Sequence, residues 1–326
     1  MKKQFFKILS NILFLGIFIF LYFQNADSIS IVKEISWPLF VIVLIIQFLG
    51  LVVNDLVIKT TVKSLGTTLS FLNGLYSAFI SSFGNYFLPL SGGAALRGYY
   101  LKKHHKFSYK KFLTVMYGLY AVSFLFTSSI LLTALTGMII VGREVSIGLF
   151  IFTSIVFIFS FALFTGRIGI ITWFMKLIDS AGIRLISVFF QKIRKVIDGW
   201  TDIISNRTLK IKLIIFTALN IFLRTFMYFI MFKSLGVQVN LIQVLIFNSL
   251  ISLSLYVTLT PGSLGIRESI LLFFSTTIGI SNDQILAISL IDRITMITVL
   301  LLLFLYFRFV KKVDLFEVRN KGVQDG

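Results

Sequence analysis

Seven ionisable side chains stand in or beside stretches that are otherwise apolar: Asp55, Arg97, Arg224, Arg267, Glu268, Asp292 and Arg293. A charge held inside a bilayer costs about 2.5–3.5 kcal/mol on insertion scales, and more in simulations, so each marks a place where chemistry is expected. Arg97 and Arg267 each close a break in an apolar run, PLSGGAALR at 89–97 and TPGSLGIRE at 260–268. The residue types at these breaks suit an anion. Ser91, Gly92 and Gly93 in the first, and Pro261, Gly262 and Ser263 in the second, let a ligand approach the backbone. A helix starting after each break points free N–H groups and its positive dipole end at the tip. Arginine adds a bidentate partner for phosphate. Arg224 joins these as a substrate-binding candidate. Asp55, Glu268, Asp292 and Arg293 are then charge partners of the arginines, or carriers of protons that drive transport. The competing reading is internal pairing, Arg267 with Glu268 or Asp292 with Arg293 locally, or either with Asp55.

Other chemistries lack their residues. The chain has no Cys, hence no disulfide, thiolate metal site or Cys nucleophile. Its two His are adjacent, His104 and His105, in a basic loop; they read as solvated residues rather than metal ligands, and no Ser–His arrangement can be built from them. HExxH and GxGD are absent, and the loop Gln24–Ser36 offers only Asp27 and Glu34, with no DxD pair for a polyprenyl-sugar transferase. No catalytic residue, metal or cofactor is expected.

The elements that must position these side chains follow from composition. The 326 residues are 57% hydrophobic and 13% charged, with mean hydropathy +0.95. That excludes an ordinary soluble protein and implies an all-α, polytopic membrane protein. The net charge is +18. The basic residues cluster between apolar spans, so they set topology and touch anionic lipid headgroups rather than nucleic acid. Six spans are expected at 8–23, 37–58, 112–140, 147–164, 213–232 and 284–310. The first reads as an uncleaved anchor, although Ala26-Asp27-Ser28 offers a weak cleavage pattern. Residues 168–205 carry Lys176, Arg184, Lys192, Arg194 and Lys195. Phe189, Phe190, Ile193, Ile197, Trp200 and Ile204 fall on one helical face there. This reads as an amphipathic helix lying on the membrane surface, with a buried bundle helix as the alternative.

The chain also repeats itself. Lys63-Ser64-Leu65-Gly66 recurs as Lys233-Ser234-Leu235-Gly236, Pro89 pairs with Pro261, Arg97 with Arg267, and Phe107-Ser108 with Ile280-Ser281. In that register Arg224 stands opposite Asn54. Ordered matches at a nearly constant offset are a transporter signature. By the positive-inside rule both termini, Lys59–Lys63, Lys102–Lys111 and Arg167–Lys212 are cytoplasmic. The stretch 69–101 then leaves and returns on one side, as a re-entrant hairpin, and 241–280 is its counterpart from the other side. Each half counts three spans and a hairpin. Three is odd, so the repeats are inverted and the two tips meet near the midplane. The expected division is a first membrane repeat at 1–164, a basic cytoplasmic linker at 165–212, the core of the second repeat at 213–310 and a cytoplasmic tail at 311–326.

On these motifs, Pro-x-Ser-Gly-Gly-x-x-x-Arg and Thr-Pro-Gly-Ser-Leu-Gly-Ile-Arg-Glu, the chain resembles the lysylphosphatidylglycerol synthase transmembrane-region family, also called flippase-like or UPF0104. The likeness runs from about Lys7 to Val310. The family's usual Pro-Gly-Gly-Leu-Gly has Ser263 in place of its second Gly here. The resemblance implies a lipid-translocating module in the cell (inner or plasma) membrane, moving an anionic phospholipid or lipid-linked headgroup between leaflets. In the family this region works joined to a soluble aminoacyl-transferase domain, which the chain lacks, so it implies no lysyltransferase activity. Implied partners are membrane lipids and a separate lipid-modifying synthase, with a homo-oligomer compatible. The alternatives are an integral-membrane transferase acting on a lipid-linked substrate, or the membrane anchor of such a synthase.

Overall fold

The computed structural model describes residues 36–88, 90, 92–167, 169, 196–254 and 260–311. The expected first span, Pro89, Ser91, most of the basic linker and nearly all of the tail lie outside the described residues. The described chain is helical: α1 Trp37–Ser64, α2 Phe71–Phe87, α3 Gly92–His105, α4 Tyr109–Ile140, α5 Ile147–Thr165, α6 Arg207–Ser234 and α7 Leu241–Ser254. A tight turn at Pro261–Ser263 precedes α8 Ile266–Phe273, a single turn α9 Ser275–Ile278, and α10 Asn282–Leu305, which continues as a wider π turn over Tyr306–Val310.

Five of these helices, α1, α4, α5, α6 and α10 with its π turn, are long and apolar enough to cross a membrane. They coincide with the five expected spans that fall on described residues. Pro38 sits in the first turn of α1, where it removes no helical hydrogen bond. Local chemistry sets the ends: Ser70, Ser108, Ser146, Asn206 and Ser281 each accept a backbone N–H at the starts of α2, α4, α5, α6 and α10. Helix α5 leaves Ile147, Ile151, Phe152, Ile155, Ile158 and Phe161 exposed. In water that face would be a liability; on a membrane helix it is the lipid side.

The repeat is visible down to single hydrogen bonds. Helices α1 and α6 have equal length, 28 residues. Each ends in Lys-Ser-Leu-Gly with the glycine left-handed, φ +88° at Gly66 and +68° at Gly236. Gly66 N–H donates to Lys63 O and Thr67 N–H to Val62 O; Gly236 and Val237 repeat this onto Lys233 and Phe232. This is the Schellman ending, which needs a residue free to adopt positive φ. Asn240 and Gln243 then cap α7 reciprocally, where Ser70 caps α2.

The two equivalents run antiparallel. The end of α1, Ile58 and Val62, packs with the start of α6, Leu209 and Leu213. The start of α1, Val43 and Ile46, packs with the end of α6, Met227, Met231 and Phe232. Between them Asn220 donates to the carbonyl of Gly50 at 3.3 Å, its own counterpart in the repeat register. A residue touches its own equivalent where a two-fold axis passes. The halves interlock around that point, with α7 against α4 and α10 against both α1 and α2.

One expectation changes. The described end of the amphipathic stretch, helical over 196–204, buries Trp200, Ile203 and Ile204 against Ile58, Val115 and Leu119. Its apolar face meets protein there, not lipid. Gly118 is the reason: a side chain at 118 would strike the Trp200 indole, so the bare backbone leaves the notch that the ring fills. A tryptophan buries some ~150–250 Å², enough to fix the segment on the bundle.

Candidate functional site

In the second half, Asp292 and Arg293 are buried side by side on α10. Successive helical residues point about 100° apart, so they cannot pair with each other. They pair crosswise with α8 instead. Arg267 Nη1 lies 2.5 Å from Asp292 Oδ2, and Arg293 Nη2 lies 2.7 Å from Glu268 Oε1. The local pairs of the competing reading, Arg267–Glu268 and Asp292–Arg293, do not form, for the same geometric reason on each helix, although internal pairing itself does, with Arg97 beside Asp55 in the first half. Gln47 of α1 donates to Asp292 Oδ1 at 2.7 Å. Ser289 donates to Glu268 Oε1, and the Gly265 N–H donates to Glu268 Oε2, both at 2.9 Å. Glu268 thus fills the acidic role of a capping box at the start of α8. Arg293 Nη1 donates to the carbonyl of Gly262 at 2.9 Å and holds the tip.

That tip is tightly folded. Gly262, Ser263 and Gly265 have φ of +60°, +50° and +80°. Glycine adopts this region freely; Ser263 does not, and a left-handed L-residue costs roughly 1–2 kcal/mol. A glycine at this position, which the resemblance leads one to expect, would carry no such cost. Pro261 and Ser263 are buried, and the Ser263 hydroxyl has no hydrogen-bond partner.

In the first half, Arg97 of α3 is also buried. Its Nη1 donates to Asn54 Oδ1 at 3.3 Å, and its Nη2 lies 3.5 Å from Asp55 Oδ1. Arg97 Nε, Arg97 Nη2 and Asp55 Oδ1 make no hydrogen bond. The Asp55 carboxylate lies against Gly74, where a Cβ would collide with it. Gly92 and Gly93 open α3 at its crossing with α2. A Cβ on Gly93 would strike the Ser81 carbonyl, and the Gly93 N–H donates to Asn85 Oδ1 at 3.1 Å. The glycine pair lets two helices touch, and Asn85 takes up one of the helix-start donors.

The halves meet where the Pro261–Ser263 turn packs on α2. Tyr86, one residue before the end of α2, is the neighbour of Gly262. Tyr86, Arg224, Tyr228, Arg267 and Asp292 are all electrostatic neighbours there. Arg224 is half-buried on α6 and has no ion pair or hydrogen bond among the described residues. Its counterpart Asn54 is exposed. Motif reading missed Gln47, Asn54, Tyr86 and Tyr228. The available signal was a polar residue inside an apolar span, as with Gln47 within VIVLIIQFLG.

No group of three or more metal-ligating side chains occurs among the described residues. Two arginine–carboxylate pairs thus stand buried within the helical bundle, with Arg224, Tyr86 and Tyr228 among their electrostatic neighbours.

The family described as the Lysylphosphatidylglycerol synthase TM region matches residues 8–304. A UPF0104 membrane protein of Methanothermobacter thermautotrophicus is 27% identical over 240 residues, covering 66% of this chain and 67% of that protein. No solved structure matches. With its five long apolar helices and a match over most of its length, this multi-pass membrane protein belongs to the lysylphosphatidylglycerol synthase transmembrane-region family.

Proposed function

We propose that this protein moves a lipid with an anionic headgroup between the leaflets of the cell membrane, with both termini on the cytoplasmic side. The observation that carries the reading is the buried polar centre between two antiparallel half-repeats. Binding sites built where broken helices of inverted repeats meet are the architecture of alternating access, in which one repeat rocks against the other. The helix pair α2–α3 and the segment α7–α8 are the two hairpins, entering from opposite faces. Their helices have 17, 14, 14 and 8 residues, short of the roughly 20 that a spanning helix needs. Irregular backbone at such depth is tolerated only against protein or water, which the contact of the Pro261–Ser263 turn with α2 supplies. Among the described residues the centre offers donors and no nucleophile–base pair, which supports recognition over group transfer. Arg97 and Arg267 line the route of the phosphate, with their carboxylate partners exchanging for it.

The topology is directly testable because the chain has no Cys. Single cysteines at Lys103 and Ser281 are expected to react with an impermeant label from opposite sides. Same-side reaction would overturn the inverted arrangement, and with it the translocation reading.

A further inference from the structure

Helix 196–204 is seated in one half of the molecule and chained to the other. Trp200, 2% exposed, fills the notch that Gly118 leaves on α4. One α4 turn earlier Thr114 supports Gly199, its Cγ2 3.3 Å from the point where a Cβ would stand. Thr201 lies equally close to the Cβ point of Gly166, the left-handed residue that ends α5. All of these supports belong to the first half. Yet only Ser205 and Asn206 separate the segment from α6, which opens the second half.

That link has no slack. Two residues span at most about 7 Å when fully extended. Both are already engaged: the Ser205 N–H donates to Thr201 O at 3.1 Å, and Asn206 Oδ1 accepts the Leu209 N–H at 3.0 Å. Leu209 and Leu213 of α6 join Trp200 in one apolar cluster with Val115 and Leu119 of α4. While the indole is seated, the start of α6 therefore cannot draw away from α4.

The seat holds by packing alone. Trp200 Nε1 is buried and makes no hydrogen bond. An indole that leaves the notch regains the hydrogen bond to water that it forgoes inside. On the outer face Asp198 and Asp202 are exposed and make no ion pair among the described residues, so nothing clamps the segment from above.

We infer that helix 196–204 is a latch between the half-repeats, and that Trp200 leaving the Gly118 notch frees α6 from α4 at this end. The lifting is local opening of one small segment with the bundle intact. Its part in transport rests on the rocking reading above; the lifting itself does not.

The chain has no Cys, so single cysteines report the latch. Thr114 is 7% exposed beneath Gly199; Ser128, 0% exposed, lies on the same helix away from the segment. In folded, purified protein a water-soluble maleimide is expected to react faster with Thr114→Cys than with Ser128→Cys. Adding Trp200→Ala is expected to speed the first at least about tenfold, as loss of a buried indole implies, and to leave the second unchanged. Equal rates at the two cysteines without further substitution mean a segment that never lifts, and overturn the latch. So does a Thr114→Cys rate that Trp200→Ala leaves unchanged. If Trp200→Ala speeds both cysteines by unfolding the bundle, Trp200→Phe, which keeps a ring, replaces it under the same two criteria. The pair Thr114→Cys/Gly199→Cys then fastens the segment, because Thr114 Oγ1 stands 3.5 Å from the Gly199 Cβ point, close to what a disulfide needs. In vesicles the oxidised pair is expected to stop the movement of labelled phosphatidylglycerol, and reduction to restore it. Movement that oxidation does not change overturns the latch and leaves translocation standing. No movement in the reduced protein overturns translocation, and the maleimide rates then decide the latch by themselves.

Discussion

The two halves of this molecule use one backbone design for two different centres. In the first, Arg97 meets Asp55 at 3.5 Å and leaves both groups underbonded, with the charge closed to zero. In the second, Arg267 meets Asp292 at 2.5 Å, Glu268 and Arg293 cross-link the tip to α10, and Arg224 remains in excess. The acid has changed helices as well: Asp55 lies on α1, whereas its counterpart on α6 is Thr225, which accepts a hydrogen bond from Asn248. A duplicated scaffold thus keeps its caps and turns while its charged centre diverges. Symmetry of fold is no guide to symmetry of charge.

Breaking the tighter centre has the largest expected effect. Asp292→Ala strands Arg267 and Gln47, and removing one partner of a buried pair costs about 3–5 kcal/mol. A melting series in detergent is expected to show a large loss of stability. The double variant Asp292→Leu/Arg267→Leu is expected to recover most of it, because an apolar pair strands nothing. A double variant as unstable as the single would mean that the pair does not govern this centre.

The glycines of the two tips sharpen the contrast. Gly93 is needed for space and Gly265 for its backbone angle. Gly93→Ala drives a methyl into the Ser81 carbonyl and is expected to cost about 1–3 kcal/mol, like other overpacked sites. At Gly265 nothing lies within 4 Å of the point where a Cβ would stand, so Gly265→Ala incurs only the backbone cost of its φ of +80° and ψ of −42°, on the order of 1–3 kcal/mol. Adding Gly84→Ala to Gly93→Ala should deepen the first loss, since the same helix crossing closes on both; no further loss would point away from crowding.

The smallest effect has the opposite sign. Ser263→Gly relieves a non-glycine φ of +50° and removes a buried hydroxyl without a partner. It is expected to raise stability by about 1 kcal/mol, read as a higher melting temperature. An unchanged or lower value would mean that the hydroxyl is held by something other than strain.

Most of the scaffold is legible in the residues. Long apolar runs mark the spans, and Lys-Ser-Leu-Gly marks the repeat because a Schellman ending needs its glycine. The breaks at Pro89 and Pro261 locate both arginines. The wiring between them is not legible. Adjacent charges such as Arg267-Glu268 look like partners in a string of letters, yet a helix turns them apart and pairs each with α10. Gln47 and Tyr228 carry no motif; only tertiary packing brings them to Asp292. The apolar face of 196–204 has the period of a surface helix, and nothing local says that Gly118 waits beneath it.

Lipid movement itself is measured most directly in vesicles. With purified protein in liposomes containing labelled phosphatidylglycerol, an external quencher is expected to reach the inner-leaflet label faster than in protein-free liposomes. A rate equal to that of protein-free liposomes, with correctly folded and inserted protein, contradicts translocation of an anionic lipid.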